Sequence, residues 1–262
     1  MNKPVLHITI VLLSVMMCAC NNQNEPGFVF DAEESQKANI DSLIRSMPSY
    51  EDITMPMRKA DINFQARLIN TDPLPVPEKH SQTALQTGIM LSDMAYCRYF
   101  EQVHKAMFLS SQIEERMKHL HIPSGQMKQI TIELESHMYS RDTVVNILSD
   151  AYAELTDGLI EGQRTALAGL IMTGAWIESS RLMLGDTSLN DDMASKHWDR
   201  SLSVLSSLLP LIDAFESGIP ESLPDKLHEI SEVSERNIAL KKIEALQQEI
   251  YKLQENLNKN EH

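Results

Sequence analysis

From residue 80 to the C-terminus, apolar residues recur at helical spacing, and few glycine or proline residues interrupt the pattern. The chain has only 9 Gly among 262 residues and 5% aromatic residues, whereas a β-sandwich or barrel would need more turn glycines and more aromatic and β-branched strands. The 42% hydrophobic content is enough for a folded core. The sequence therefore predicts an all-α fold, an irregular multi-helix bundle built as a stack of α-hairpins.

Helix boundaries follow from the residues that stop helices. The expected stops are Pro123 with Gly125, Gly162, Gly185 with Asp186, and Gly218 with Pro220. The predicted helices cover residues 41–47, 80–103, 104–121, 124–139, 142–160, 162–184, 192–217 and 223–258. The proline-rich stretch from Pro48 to Lys79 is expected to be irregular and extended. A tetratricopeptide-like array is an alternative architecture, although no period of about 34 residues repeats the small and aromatic positions.

The N-terminus has the features of a secretion signal. Lys3 precedes an apolar stretch, Ile8 to Met17, which is shorter than the roughly 20 residues that a membrane-spanning helix needs. Ala19 supplies the small residue that signal peptidases require, so we expect cleavage before Cys20. This arrangement resembles the bacterial lipoprotein box, which implies a diacylglycerol thioether and an acylated amino group on Cys20. Secretion without lipid and an uncleaved anchor are the alternatives.

The lipoprotein interpretation sets the domain organisation. Residues 1–19 form the signal peptide, residues 20–30 the lipidated cysteine and a polar tether, and residues 31–262 one helical domain. Only Cys97 then keeps a thiol, so no intramolecular disulfide is expected. Several acyl chains on one residue make membrane attachment durable. In lipoproteins of Bacteroidota an acidic run after this cysteine accompanies export to the outer face; none follows Cys20, so we expect the periplasmic face of the outer membrane.

Several stretches resemble a group of all-helical lipoproteins of Bacteroidota. These stretches are Ser46 to Glu51 (SMPSYE), Leu68 to Asn70 (LIN), Thr83 to Tyr96 (TALQTGIMLSDMAY) and Gly174 to Glu178 (GAWIE). The last matches a Gly-x-Trp-x-Glu pattern that ends an apolar helix in that group. No activity is assigned to the group, so the resemblance implies an envelope location and a helical fold rather than a reaction.

Two acidic residues lie on inward helix faces. At roughly 100° per residue, Asp93 shares a stripe with Ile89 and Tyr96, and Glu178 follows the apolar segment 166–177, which we expect to be the central helix of the bundle. Arg181 follows Glu178 by one turn. In one interpretation the acids are paired inside the bundle, Glu178 with Arg181. In another, Asp93, Tyr96, Trp176 and Glu178 line an interhelical ligand pocket. General acid/base catalysis is the third.

Gly169 and Gly174 lie within that central segment, where glycine reduces helix propensity. We therefore expect another helix or a ligand to approach closely at these positions.

No metal site and no catalytic motif is expected. Glu101 and His104 have the Glu-x-x-His spacing of di-iron bundles, but the second copy that such sites need is missing. His119 and His121 lie at a helix end, where a contact with the helix dipole explains them. The sequence has no phosphate-binding glycine loop, nucleophile elbow or zinc-protease helix.

The C-terminal helix, about 223–258, has coiled-coil character. Its apolar stripe alternates steps of four and three residues and consists of Ala239, Ile243, Leu246, Ile250, Leu253 and Leu257. The stripe either pairs with a second copy of the chain or packs on the protein's own bundle.

The net charge of −14 argues against a nucleic-acid partner, which would need a concentrated basic surface. The prediction is a non-catalytic binding or scaffold module of the cell envelope, with no cofactor besides the lipid on Cys20. Its expected partners are the membrane, an envelope protein and a second copy of itself. The alternative function is a small-molecule receptor or enzyme that uses the interhelical pocket.

Overall fold

The computed structural model describes residues 28–30, 42, 64–123, 141–187 and 191–252, and these confirm an all-α bundle. The described helices are α1 (His80–Tyr99), α2 (Val103–His119), α3 (Arg141–Glu161), α4 (Thr165–Gly185), α5 (Asp191–Asp213), α6 (Leu223–Ser231) and α7 (Arg236–Lys252). A 3₁₀ turn covers Ala66–Leu68, and two short strands, β1 (Val29–Phe30) and β2 (Phe215–Ser217), form an antiparallel pair. The predicted helix 124–139 lies outside the described residues, as does 41–47 apart from helical Ser42.

α4 is the central helix, as predicted. All of its residues are buried, and it packs against α1, α3, α5 and α7. A helix that is apolar on every side is stable in water only where neighbours cover every side. The apolar segment 166–177 therefore lies in the middle of the bundle.

α1 and α4 run in the same direction and touch backbone to backbone. A Cβ placed on Gly88 would lie 1.9 Å from Ile171 O, and one placed on Gly174 would lie 2.0 Å from Leu85 O. Only glycine fits at these two positions. The close approach expected at Gly174 is confirmed; at Gly169 the neighbour is the Leu211 side chain of α5, which would lie 2.4 Å from an added Cβ.

The predicted helix 192–217 extends too far at its C-terminal end. α5 ends at Asp213, and Phe215 pairs with Phe30 in the two-stranded sheet. The Phe215 ring packs on Phe28 and Phe30 with centroid distances of 5.5 and 4.9 Å, and all three side chains are buried. Phe28 and Phe30, which the tether prediction placed outside the folded domain, thus belong to its core. Burial of three aromatic rings outweighs one further turn of helix.

The prediction of a single C-terminal helix, about 223–258, is also wrong, because α6 and α7 are separate helices that form a hairpin. Trp198 Nε1 of α5 donates to Val233 O over 2.7 Å, which occupies a carbonyl that a continuous helix would use. Ion pairs join the two helices at Lys226 with Glu249 and at Lys242 with Glu229. The described part of the apolar stripe, Ala239 to Ile250, is buried in the protein's own core. Leu253 and Leu257 lie outside the described residues.

The strap, residues 64–77, is the non-helical segment that leads into α1. It contains the 3₁₀ turn and the prolines 73, 75 and 77, which keep the rest extended. Among the described helices, none has the length and apolar character needed to cross a bilayer.

Candidate functional site

The contact between α1 and α4 brings the two predicted acids together. Just beyond the glycine contact, Ser92 Oγ donates to Ala175 O over 3.1 Å and lies 3.1 Å from Ser179 Oγ. The next residue on α1 is Asp93, and Glu178 and Arg181 follow on the facing turn of α4. Asp93, Glu178 and Arg181 form the acid cluster, and all three are buried.

Glu178 is fully enclosed by partners. Arg181 Nε donates to both carboxylate oxygens over 3.1 and 3.0 Å, Arg181 Nη2 donates to Oε1, and the Gln247 amide of α7 donates to Oε2. Its exposed fraction is 0%. The prediction that Glu178 pairs with Arg181 is confirmed.

Asp93 lacks comparable partners. It is 3% exposed, and its Oδ1 has no hydrogen-bond partner among the described residues. Arg181 Nη2 lies 4.0 Å from this oxygen, and its two protons already go to Leu68 O and Glu178 Oε1. The Arg181 guanidinium therefore neutralises Glu178 and leaves Asp93 Oδ1 without a hydrogen bond.

Burial raises the pKa of Asp93 well above its usual range, and the charge of Glu178 and a hydrogen bond with it raise it further. Arg181 lowers this pKa, but by less. Burial and the neighbouring negative charge therefore favour the acid form of Asp93.

A groove of about 780 Å³ reaches Asp93 and Arg181 from the surface. One wall is the strap and the other is the last part of α7. Its lining residues are Arg67, Leu68, Ile69, Asn70, Asp72, Pro73, Leu74, Pro75, Asp93, Arg181, Gln247, Gln248, Tyr251 and Lys252. Glu178 lies behind this floor and does not line the groove.

Arginine side chains hold the strap in place as a wall. Arg181 donates to Leu68 O, and Arg67 Nη2 donates to Gly185 O over 2.8 Å. Arg116 Nη2 donates to Leu74 O and Pro75 O, each over 3.2 Å. These arginines fix the extended backbone beside the floor of the groove.

Arg116 and Tyr251 belong to the site although the sequence interpretation did not single them out. Arg116 is 0% exposed and also donates to Gln86 Oε1; its position on the stripe of Ile113 and Leu120 was the available signal. Burial raises the pKa of the Tyr251 phenol well above its usual range, and the charges of Asp93 and Glu178 raise it further. Tyr251 therefore stays protonated beside the floor.

Gln86 links Arg116 to the second wall. Its amide nitrogen donates to Ile250 O over 3.3 Å, and Gln82 donates to the same carbonyl over 2.8 Å. This series of hydrogen bonds runs from the strap through Arg116 and Gln86 to Ile250 of α7 and sets the distance between the two walls.

Tyr96 and Trp176 are not part of this site, contrary to the pocket interpretation. The Tyr96 hydroxyl accepts a hydrogen bond from Gln65 N over 3.1 Å, and its ring packs on Phe64 and Phe100. Trp176 Nε1 donates to Ser201 O over 2.9 Å on the side of α4 that faces α5. Both aromatic residues stabilise the packing of the bundle.

Cys20 lies outside the described residues, so its lipidation stays a prediction. Within the part of the chain that the structure describes, no group of His, Cys, Asp and Glu is arranged to hold a metal ion. Glu101 and His104 are exposed, and His119 Nε2 lies 3.3 Å from Glu78 O at the end of α2.

Comparison with protein-family models, with curated proteins and with solved structures found no match to this chain. Function is therefore inferred from its residues and their geometry.

Proposed function

We propose that this chain is a lipid-anchored binding module of the bacterial cell envelope that takes a small polar ligand in the groove. The signal-like N-terminus with Ala19 before Cys20 and the resemblance to helical lipoproteins of Bacteroidota support the envelope location. Attachment is through Cys20 to the outer membrane, on its periplasmic face.

One observation carries the binding function: a groove of about 780 Å³ is lined by Asp93, a buried carboxyl whose Oδ1 lacks a hydrogen bond from any described residue. Leaving a buried acceptor unfilled destabilises a fold by roughly 1–3 kcal/mol. Such a carboxyl in the lining of a groove is typical of a site that a ligand completes.

Binding fits this geometry better than catalysis by a carboxyl pair. A general acid and a general base must both reach the substrate. Of these two carboxyls, Asp93 lines the groove, whereas Glu178 is enclosed by Arg181 and Gln247. We therefore propose that Glu178 positions Arg181.

The anchor is tested by expressing the full chain in a bacterium that processes lipoproteins. We expect the mature protein in the membrane fraction, with an intact mass that starts at Cys20 and includes its acyl chains. Cys20→Ala should move the protein to the soluble fraction, whereas the neighbouring Cys18→Ala should stay in the membrane. A mature chain that starts elsewhere, or has no acyl chain, would refute the anchor.

The groove is tested by thermal shift against a panel of polar metabolites and cell-wall fragments. Gln248 is exposed and lines the groove, whereas Asn237 is exposed on the same helix outside the lining. We expect hits whose stabilisation disappears in Gln248→Trp and persists in Asn237→Trp. Stabilisation that survives in both variants would place binding elsewhere.

A further inference from the structure

We infer that the group seated at the floor of the groove is a primary ammonium, so that the ligand is a small amine whose cation pairs with Asp93. This inference rests on the proposed binding function and names the chemistry that the groove would recognise.

The charges of the acid cluster are unequal. Glu178 and Arg181 from α4 act on Asp93, and together the three side chains comprise two carboxyls and one guanidinium. The phenol of Tyr251 faces the cluster from α7, and the Cys97 thiol lies one turn along α1; burial raises the pKa of both. The cluster is therefore one positive charge short, and burial and the charge of Glu178 favour a proton on Asp93 when the groove is empty.

An ammonium group would replace this proton with little change in charge. It has three donors and no acceptor, and a group seated on the floor lies beside the Asp93 carboxyl because Asp93 lines the groove. The phenol oxygen of Tyr251 and the amide oxygen of Gln247 are further acceptors along the same lining. A cation close to a buried carboxyl lowers its pKa, so Asp93 should ionise when the amine binds.

Other end groups fit less well. A hydroxyl could donate to Oδ1 but would leave the charge shortage and the proton in place. A carboxylate would add a further negative charge beside Asp93 and Glu178, which share one guanidinium. Arg67 and Lys252 are exposed on the rim beside Asp72, so an acidic group suits the outer end of the ligand.

The test uses 5-aminopentanoate, 5-hydroxypentanoate and glutarate, which share a chain and one carboxylate and differ in the other end group. Isothermal titration of the full-length protein should show the amine binding at least tenfold more tightly than either analogue. Titrations in buffers with different ionisation enthalpies should show one proton released per amine bound. Affinity should accordingly rise about tenfold per pH unit below the pKa of Asp93.

Asp93→Asn should weaken amine binding at least tenfold, whereas Asp199→Asn, which removes an exposed acid of α5 outside the groove, should change it less than twofold. Circular dichroism checks that the variants are folded. If Asp93→Asn does not fold, the proton release and the pH dependence of the unmodified protein decide the question alone.

Equal affinity for the amine and the alcohol, binding without proton release, or unchanged affinity in folded Asp93→Asn would overturn the inference. If an analogue other than the amine binds and Gln248→Trp blocks it, the groove function stands and only the ammonium inference fails. If Gln248→Trp affects the binding of no compound, including the metabolite panel, both fail.

Discussion

Two buried carboxyls with different partners lie side by side in this protein. Asp93 faces a groove with one oxygen unfilled, and Glu178 is enclosed behind it by a guanidinium and an amide. The helical wheel predicted that both acids and Arg181 point inward, and this is confirmed because side-chain direction follows from helix geometry alone. The wheel could not predict which inward residues meet, since that depends on how helices cross. Tyr96 and Trp176 share a helix with an acid and yet pack elsewhere.

We expect Asp93→Asn to stabilise the protein at neutral pH. The folded-state pKa of Asp93 is raised, so its contribution to stability is greatest below its unfolded value of 3.8 and is lost as the pH rises toward the folded value. The amide side chain of the variant does not ionise, so Asp93→Asn avoids this loss. The substitution should raise the free energy of unfolding at pH 7 by about 1 kcal/mol or more. Urea unfolding at pH 7 and at pH 3.5 measures the difference, which should shrink at the lower pH.

Asp72→Asn is the control, because this acid is exposed and should change stability by less than about 0.5 kcal/mol. If Asp93→Asn is less stable than the unmodified protein at pH 7, the Asp93 carboxyl group stabilises the fold, and the expectation that its burial destabilises the protein is wrong.

A buried histidine should make the protein sensitive to acid. Burial lowers the pKa of His197 on α5 to about 4, and the charge of Arg200 lowers it further. The unfolded chain takes up a proton near pH 6.5 and the folded chain only near 4, so stability is lost as the pH falls through that window, by up to about 3 kcal/mol. Denaturant unfolding between pH 8 and 4 should show this loss, and His197→Gln should remove it. An equal slope in the variant would contradict this assignment.

At the scale of elements, the contact between α1 and α4 determines the geometry of the site. The two glycines let the parallel helices touch, and the acid cluster lies one turn beyond them. The sequence pointed to Gly174 because glycine in an apolar helix needs a reason, but Gly88 has the same role and was not singled out. Thr87 and Ser92 near it are polar, so no apolar pattern around Gly88 indicates a close helix contact.

Gly88→Ala should separate these helices. The added methyl group would overlap Ile171 O and Ala175 N, which are backbone atoms and cannot rotate away. We expect a loss of about 3 kcal/mol in the free energy of unfolding. Gly158→Ala in α3 is the matched control, since nothing lies within 4 Å of its Cβ position and helix propensity should raise stability by about 0.5–1 kcal/mol. Equal effects of the two substitutions would show that the close contact is unimportant.

Helix ends could be predicted where a glycine ends the helix. They could not be predicted where contacts with residues distant in sequence end it. α3 ends at Glu161 beside Gly162, as expected, and α4 ends at Gly185. The break at Val233 depends on Trp198, which is distant in sequence and holds the Val233 carbonyl. The turn after α5 depends on burial of Phe215 against β1. Local sequence patterns cannot reveal these contacts, because the contacting residues are distant in sequence.

At the scale of the whole molecule, Cys97 reports on global unfolding. Its thiol is 0% exposed in the central core, and burial, with a smaller effect from Asp93, raises its pKa to about 12. Protein expressed from residue 21 has this thiol alone, and we expect it to resist a disulfide reagent in the native state and react at once in urea. Labelling rates across urea concentrations should follow unfolding measured by circular dichroism. Fast labelling under native conditions would contradict the position of α1 in the core.

The groove draws its walls from the strap and α7, which are separated by most of the chain, and its floor from α1 and α4 between them. No partial product of synthesis can contain this groove, because residues 247–252 arrive after every other described helix is complete. The proposed binding of a ligand in this groove would thus require synthesis through residue 252. A version truncated before Gln247 would lose the α7 wall of the groove and the hydrogen bond that Gln247 donates to Glu178.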